Sequence, residues 1–156
     1  MTKKILVAID DSENAIRAVE FVANTFTTDN RITLFNVVQD TATMCEMNSP
    51  ELTPYFTSQQ SSFCLLEEKK KELVTQALKQ SKTILMDAGF EEKNITIKAE
   101  LKKHGVARDI IKEAQSDYHI IVMGKRGVSG IKDFLLGSIS QKVFNLAKDI
   151  SVLFVN

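Results

Sequence analysis

Short runs of consecutive apolar residues, each followed by a segment with helical periodicity, constrain this fold most strongly. Residues 5–9 (Ile-Leu-Val-Ala-Ile) are all apolar, which indicates a strand buried on both faces. Residues 10–12 (Asp-Asp-Ser) can cap a helix, and apolar residues then recur at helical spacing from 16 to 26. A second β-rich run at 31–38 completes a unit of the size of a βαβ crossover. The chain therefore begins as an α/β protein.

The rest of the chain repeats this alternation. Further helices are predicted over 65–88, 106–114 and 138–148, and further strands over 94–101, 118–123 and 151–155. Gly89 stands where the first of these helices should stop. Five strands alternating with four helices predict a single domain over residues 1–156, with a doubly wound sheet and helices on both faces.

Residues 39–64 show no clear periodicity. They contain both prolines, Pro50 and Pro54, among Ser, Thr, Gln and Asn, and they predict a long mobile loop. The two cysteines, Cys45 and Cys64, lie in this segment nineteen residues apart, without the spacing of metal ligands. Whether they form a disulfide stays open, because nothing else in the sequence indicates an oxidising compartment.

Composition excludes some classes of function. The chain has 20 basic and 20 acidic residues and a formal net charge of zero, which argues against broad binding to nucleic acid or to a membrane surface. The basic run at 69–71 is flanked by glutamates and is typical of a solvated helix face. The first apolar run is too short for a signal peptide, and no stretch is long enough to span a membrane. A cytoplasmic location is expected.

A sparse glycine pattern marks the candidate site. Gly124 and Gly127 follow the predicted strand at 118–123, and Gly137 and Ser138 come immediately before or at the start of the last helix. A glycine-rich loop between a strand and a helix lets backbone N–H groups converge on a phosphate. The pattern predicts phosphate binding, although a capping box that begins at Ser138 would also explain this serine.

Charged residues near the glycines have two interpretations each. Lys125 and Arg126 could neutralise a phosphate or could be exposed loop charges. Asp10 ends a buried strand and could accept from ribose hydroxyls or lie near Mg²⁺ through water, rather than cap the next helix. No direct metal ligand and no catalytic residue is predicted. Neither His104 nor His119 has partners at metal-ligand spacing.

Two better-known phosphate loops are excluded by spacing. Lys125 lies between glycines rather than after the second one, as a Walker loop requires, and the glycines do not form the G-x-G-x-x-G pattern of dinucleotide folds. The complete pattern instead resembles the universal stress protein family, in particular its ATP-binding subgroup. The similarity extends to residues 5–12, 35–38, 105–111 and 151–155, and so covers nearly the whole chain.

This resemblance implies a fold and a set of contacts. The fold is a five-stranded parallel sheet of order 3-2-1-4-5, similar to the adenine nucleotide alpha hydrolases. The ligand is ATP or another adenine nucleotide, with Mg²⁺. The nucleotide-binding positions that the resemblance implies in this chain, together with Arg126, are Ala8, Ile9, Asp10, Val37, Met123, Gly124, Gly127, Gly137, Ser138, Ile139 and Ser140. Asn36 departs from the family, which commonly has histidine there.

The resemblance also implies a homodimer that pairs the last strand, residues 152–155, across a two-fold axis. The expected function is an ATP-binding regulatory module of the stress response. Two alternatives remain open: a slow ATPase or phosphotransferase, and a nucleotide-free dimerisation module. Because the chain offers an incomplete set of groups for phosphoryl transfer, little or no turnover is expected. The intact glycine pattern argues against the third possibility.

Overall fold

A computed structural model describes residues 1–41, 45, 54–125 and 136–156, with only the backbone of 54–58. Its centre is a five-stranded parallel sheet in the order β3-β2-β1-β4-β5, as the resemblance implied. The strands are β1 (Lys4–Ala8), β2 (Arg31–Val38), β3 (Ile95–Leu101), β4 (Ile120–Gly124) and β5 (Ser151–Val155). The order reverses at β1, since the chain first builds outward to β3 and then crosses to β4 on the other side of β1.

Helices cover both faces of this sheet. They are α1 (Glu13–Thr25), α2 (Pro54–Asp87), α3 (Val106–Ala114) and α4 (Ser138–Leu146), with a short 3-10 helix at Glu92–Asn94. Ile5 and Val7 of β1 belong to a core shared with α1 and α2, whereas Leu6 between them packs with α3 and α4. This alternation explains why the run at 5–9 is apolar throughout: both faces of the strand are buried.

The prediction of a loop over residues 39–64 is wrong for its last part, because α2 begins at Pro54. Proline favours loops in general, but its fixed φ and missing N–H also suit the first turn of a helix. The helix then ends as predicted: Gly89 has φ of +102°, and its N–H donates to Met86 O at 3.0 Å. Residues 42–44 and 46–53 lie outside the described part.

Smaller boundary differences occur at other elements. The strand predicted over 118–123 begins only at Ile120, and the helix predicted over 138–148 ends at Leu146. Within the described residues, no helix has the length and apolar character needed to cross a membrane. The helix α2 is long enough but is not apolar enough, since charged and polar residues fill much of its surface.

Candidate functional site

A cleft opens at the carboxyl ends of β1, β2 and β4, beside the point where the strand order reverses. This is the edge at which open parallel sheets bind ligands. Its volume is about 640 Å³, which is within the range of small-molecule sites. The predicted site residues that line it are Ala8, Ile9, Asp10, Val37, Met123, Gly124, Gly137, Ser138, Ile139 and Ser140. The two others, Arg126 and Gly127, lie outside the described residues.

Gly124 lets α1 and β4 approach each other closely at the floor of the cleft. A Cβ atom at this position would lie 2.7 Å from the Asn14 Cβ and 3.0 Å from the Asn14 backbone. Any other residue would push α1 away from the sheet. This glycine is therefore explained by helix–strand packing, independently of any contact with a phosphate.

Lys125 joins three elements through its backbone. Its N–H donates to Val155 O at 2.7 Å, and its carbonyl accepts from the Gly137 N–H at 2.9 Å. The first bond ties the end of β4 to the end of β5, and the second places the start of α4 next to the end of β4. The two ends of the glycine pattern are thus held together at the cleft.

The N-terminus of α4 points its first residues at the cleft, and its N-cap residue supplies no capping side chain. Gly137 is the N-cap residue, and it makes no side-chain hydrogen bond, as a glycine cannot. The alternative explanation of Ser138 as the start of a capping box does not hold, because Ser138 is already inside the helix and the Gln141 N–H donates to Gly137 O at 2.9 Å. The N–H groups of the first turn carry partial positive charge, so this helix end favours an anion.

Ser140 fixes this helix end to the sheet. The residue is 3% exposed, and its hydroxyl donates to Gly124 O at 3.0 Å. The hydroxyl is therefore committed to a structural bond as a donor, while its oxygen can still accept. Its predicted contact with a nucleotide stays a prediction.

Asp10 forms a tight turn at the opposite wall of the cleft. Its Oδ1 accepts from the Ser12 N–H at 2.8 Å and also from the Ser12 hydroxyl. Ser12, not Asp10, caps α1, since its oxygen accepts from the Ala15 N–H at 3.3 Å. Asp10 thus keeps a partly exposed carboxylate at the cleft, held in place by its neighbour.

Asn36 is a cleft residue that the sequence analysis did not include in the site. It is 8% exposed, and its Nδ2 donates to Ile9 O at 2.8 Å, which joins the carboxyl ends of β1 and β2. It was noticed only as a departure from the family. Its position directly before Val37, at the end of a buried strand, was the signal that could have identified it.

A face of α2 forms a further wall that the sequence analysis missed. Glu67, Lys70, Lys71, Val74, Thr75 and Leu78 line the cleft at the spacing of one helix face. The basic run was interpreted as solvated, which is incomplete: two of its lysines border the cleft, and Lys70 pairs with Glu67 at 3.4 Å. The sequence alone did not reveal which sheet edge this helix would cross.

Both histidines take part in hydrogen bonds within the fold. The Nδ1 of His119 accepts from the backbone N–H of Lys4 at 3.0 Å, and the backbone N–H of His119 donates to Lys4 O. The backbone N–H of His104 donates to Asp109. In the part of the chain that the structure describes, no group of three or more His, Cys, Asp or Glu side chains is arranged to hold a metal ion.

Comparison with known proteins agrees with this architecture. The model of the universal stress protein family matches residues 1–156. A universal stress protein of Mycolicibacterium smegmatis is 28% identical over 144 residues, which are 92% of this chain and 45% of that protein. The chain thus spans less than half the length of this relative.

Solved structures share the fold at lower identity. The hypothetical protein MJ0577 has a TM-score of 0.66 and 24% identity, with 100% of this chain and 98% of that chain covered. UspA from Lactobacillus plantarum has a TM-score of 0.68 and 19% identity, with 99% and 97% covered. A universal stress protein solved in complex with cAMP has a TM-score of 0.63 and 16% identity, with 99% and 97% covered.

Proposed function

We propose that this chain, which belongs to the universal stress protein family, binds an adenine nucleotide, ATP in the first place, in the cleft between β1 and β4. Nucleotide occupancy would act as a signal in the stress response. The observation that carries the proposal is the N-terminus of α4 at this cleft, where a glycine is the N-cap and a hydrogen bond to Lys125 O holds it beside the end of β4.

The phosphate end of the ligand belongs at the start of α4. The N–H groups of Ser138, Ile139 and Ser140 lie in the first turn and have no capping side chain at Gly137. A helix N-terminus stabilises negative charge through these N–H groups and through the helix dipole. Lys71 of α2 adds positive charge to the border of the same cleft, and Lys70, which pairs with Glu67, lies beside it.

The base end belongs at the apolar side of the cleft. Val37 at the end of β2, Val106 and Ile110 of α3, and Met123 of β4 line this side. A flat heteroaromatic ring gains free energy from such apolar walls. The choice of adenine rests on the family resemblance and on a relative solved with cAMP, which also contains adenine.

Asp10 is the residue that fits an accompanying Mg²⁺. Its carboxylate lies at the cleft, and Mg²⁺ commonly keeps several waters while it is held by one or two carboxylates and substrate phosphates. When bound, the ion would neutralise phosphate charge. The carboxylate itself orients water or a ribose hydroxyl, because Ser12 fixes its position.

Binding without rapid hydrolysis is the version that we favour. Phosphoryl transfer depends on a positioned nucleophile and on several charge clamps. Among the described residues, three carboxylates line the cleft: Asp10 is engaged by Ser12, Glu67 is engaged by Lys70, and Asp11 directly precedes the N-cap of α1. A slow ATPase remains the second candidate, and the same purified protein can distinguish it.

Calorimetric titration with ATP and Mg²⁺, cyclic AMP, and GTP with Mg²⁺ tests the proposal. We expect saturable binding of ATP at one site per chain, with weaker binding of GTP, and phosphate release far below one turnover per minute. If no adenine nucleotide binds, the proposal fails. If cyclic AMP binds and ATP does not, the cleft is an adenine site whose ligand was misassigned.

The proposal includes a homodimer in the cytoplasm, where ATP is available to the cleft. Support for the dimer comes from β5, an edge strand of the sheet, and from exposed apolar residues beside it. An edge strand has unpaired backbone groups that another copy can pair. Fractionation of cells tests the location.

A further inference from the structure

Cys45 and Cys64 form a disulfide, with their sulfur atoms 2.08 Å apart and their Cα atoms 5.8 Å apart. Cys45 lies in the chain just beyond β2, and Cys64 lies in α2. Both residues are partly exposed, so small thiols and disulfides can reach them. Neither the fold nor the proposed ligand contacts require this bond, and its role therefore has to be found in its position.

The bond begins in a segment that is tied to the cleft. The Cys45 N–H donates to Thr41 O at 2.9 Å, and Thr41 is 4% exposed. Slightly earlier in the chain, Val38 O accepts from the Lys102 N–H at 2.8 Å, and Gln39 accepts from the Lys102 side chain. Val38 and Gln39 both line the cleft. Cys45 is thus connected to the sheet edge through a few hydrogen-bonded residues.

The bond ends on the cleft-facing side of α2. Cys64 precedes Glu67 by three residues and Lys71 by seven, so all three lie on one face of the helix. This part of α2 has little packing: of residues 59–76, none is buried, and among the side chains of the helix that the structure describes, the first buried one is Ala77. The disulfide holds the half of α2 that carries the cleft lysines.

We propose that Cys45–Cys64 is a reversible redox switch, in which the disulfide fixes the N-terminal half of α2 beside the cleft and strengthens ligand binding. This proposal rests on the proposed function, because the switch regulates the affinity of the cleft for the nucleotide. Reduction removes the covalent link between α2 and the chain beyond β2. Glu67, Lys70 and Lys71 must then be ordered by the ligand, at a cost in affinity.

The chemistry balances with glutathione disulfide as the oxidant. The thiolate of one cysteine attacks a sulfur of glutathione disulfide, which forms a mixed disulfide and releases one glutathione thiolate. The second cysteine thiolate attacks the protein sulfur of the mixed disulfide and releases the second glutathione. The two protons of the protein thiols end on the two glutathione molecules, and two electrons pass from the protein to the oxidant.

The test compares ATP titrations of one protein in two redox states. The full chain is equilibrated with glutathione disulfide or with dithiothreitol, and intact mass after alkylation verifies the state. We expect the oxidised protein to bind ATP about fivefold more tightly, which is the effect of pre-ordering one or two side chains. The double variant Cys45→Ser/Cys64→Ser should bind like the reduced protein under both conditions.

Hydrogen exchange without ligand provides the second measurement. Backbone amides of residues 65–76 should exchange more slowly in the oxidised protein, while those of β1 should be unchanged. Equal exchange in both states overturns the switch, as does equal ATP affinity in two verified states or the absence of an intramolecular disulfide under glutathione disulfide. If ATP binds in neither state, the proposed nucleotide function fails, and the exchange comparison alone decides the switch.

Discussion

At the scale of single residues, the cleft depends on side chains that are small or already committed to a bond. Gly124 has no side chain because Asn14 of α1 occupies the space. Ser140 donates to Gly124 O, and Asn36 donates to Ile9 O, so each holds the end of a strand in position. The rigidity of the floor of the cleft follows from these contacts.

Gly124→Ala should destabilise the protein by about 1–3 kcal/mol, because the new methyl group overlaps Asn14 and forces α1 away from β4. Urea unfolding followed by circular dichroism measures the change. In an Asn14→Gly background the nearest atom is absent, and the penalty should shrink without vanishing, since the Asn14 backbone also lies at 3.0 Å. An unchanged unfolding midpoint for Gly124→Ala would show that α1 does not pack here as described.

The sequence predicted which residues lie at the cleft better than it predicted the hydrogen bonds that these residues make. Asp10, Gly124 and Gly137 lie at one cleft, as the sequence indicated. The sequence left a capping box at Ser138 as an alternative, because it does not show that the hydrogen bond from Gly137 to Lys125 O makes Gly137 the N-cap. Asn36 was overlooked for a similar reason: its bond to Ile9 joins two strands, and a linear pattern does not show which strands are neighbours.

At the scale of elements, the helices are positioned by their first turns. The first turn of α3 is held by Asp109, whose carboxylate accepts from the Lys103 and His104 N–H groups at 2.8 and 3.1 Å. Burial by itself would raise the pKa of Asp109, but these N–H bonds hold its pKa below the ordinary value of 3.8. A carboxyl with a lowered pKa stabilises the fold in its charged form.

The contribution of Asp109 should therefore depend on pH. It is fully present above pH 3.8, the ordinary value, and is lost as the pH falls through the lower folded pKa. Asp109→Asn should unfold at a lower urea concentration than the parent at pH 7, and the difference should narrow below pH 3.8. A difference that stays constant down to the acid transition would contradict this account of the turn.

The elements could be predicted from the sequence because periodicity reports burial directly. β1 is apolar on both faces and α3 has a clear apolar stripe, and both lie where the sequence placed them. Residues 54–64 of α2 escaped prediction: none of the side chains at 59–64 is buried, so this part of the helix leaves no apolar pattern. The disulfide, left open by the sequence, depended on a helix that periodicity could not reveal.

At the scale of the whole molecule, the β5 end of the sheet carries a group of exposed apolar side chains. Beside β5, Phe144 of α4 is 60% exposed and its ring centroid lies 6.4 Å from that of Phe154. Ile139 and Leu146 of the same helix are also exposed. An apolar surface continuous with an edge strand is the surface that the proposed homodimer would cover.

Phe144→Asp should convert the proposed dimer to a monomer, because the carboxylate would be buried without a partner. Light scattering during gel filtration gives the molar mass. Phe21→Asp is the matched control, since Phe21 is also an exposed phenylalanine but lies on α1 rather than on α4 or β5. A parent protein that is already monomeric, or a dimer that survives Phe144→Asp and not Phe21→Asp, would refute this interface.

The most direct test of the nucleotide cleft is the ratio of ATP dissociation constants for Ser138→Glu and Gln141→Glu. Both variants add one negative charge to an exposed position of α4, and only Ser138 lines the cleft. An acidic residue in the first turn is compatible with the helix, so folding should be preserved. We predict binding weaker by about tenfold or more for Ser138→Glu, through repulsion of the phosphates, and near-parental binding for Gln141→Glu. Equal dissociation constants for the two variants would mean that ATP binds elsewhere.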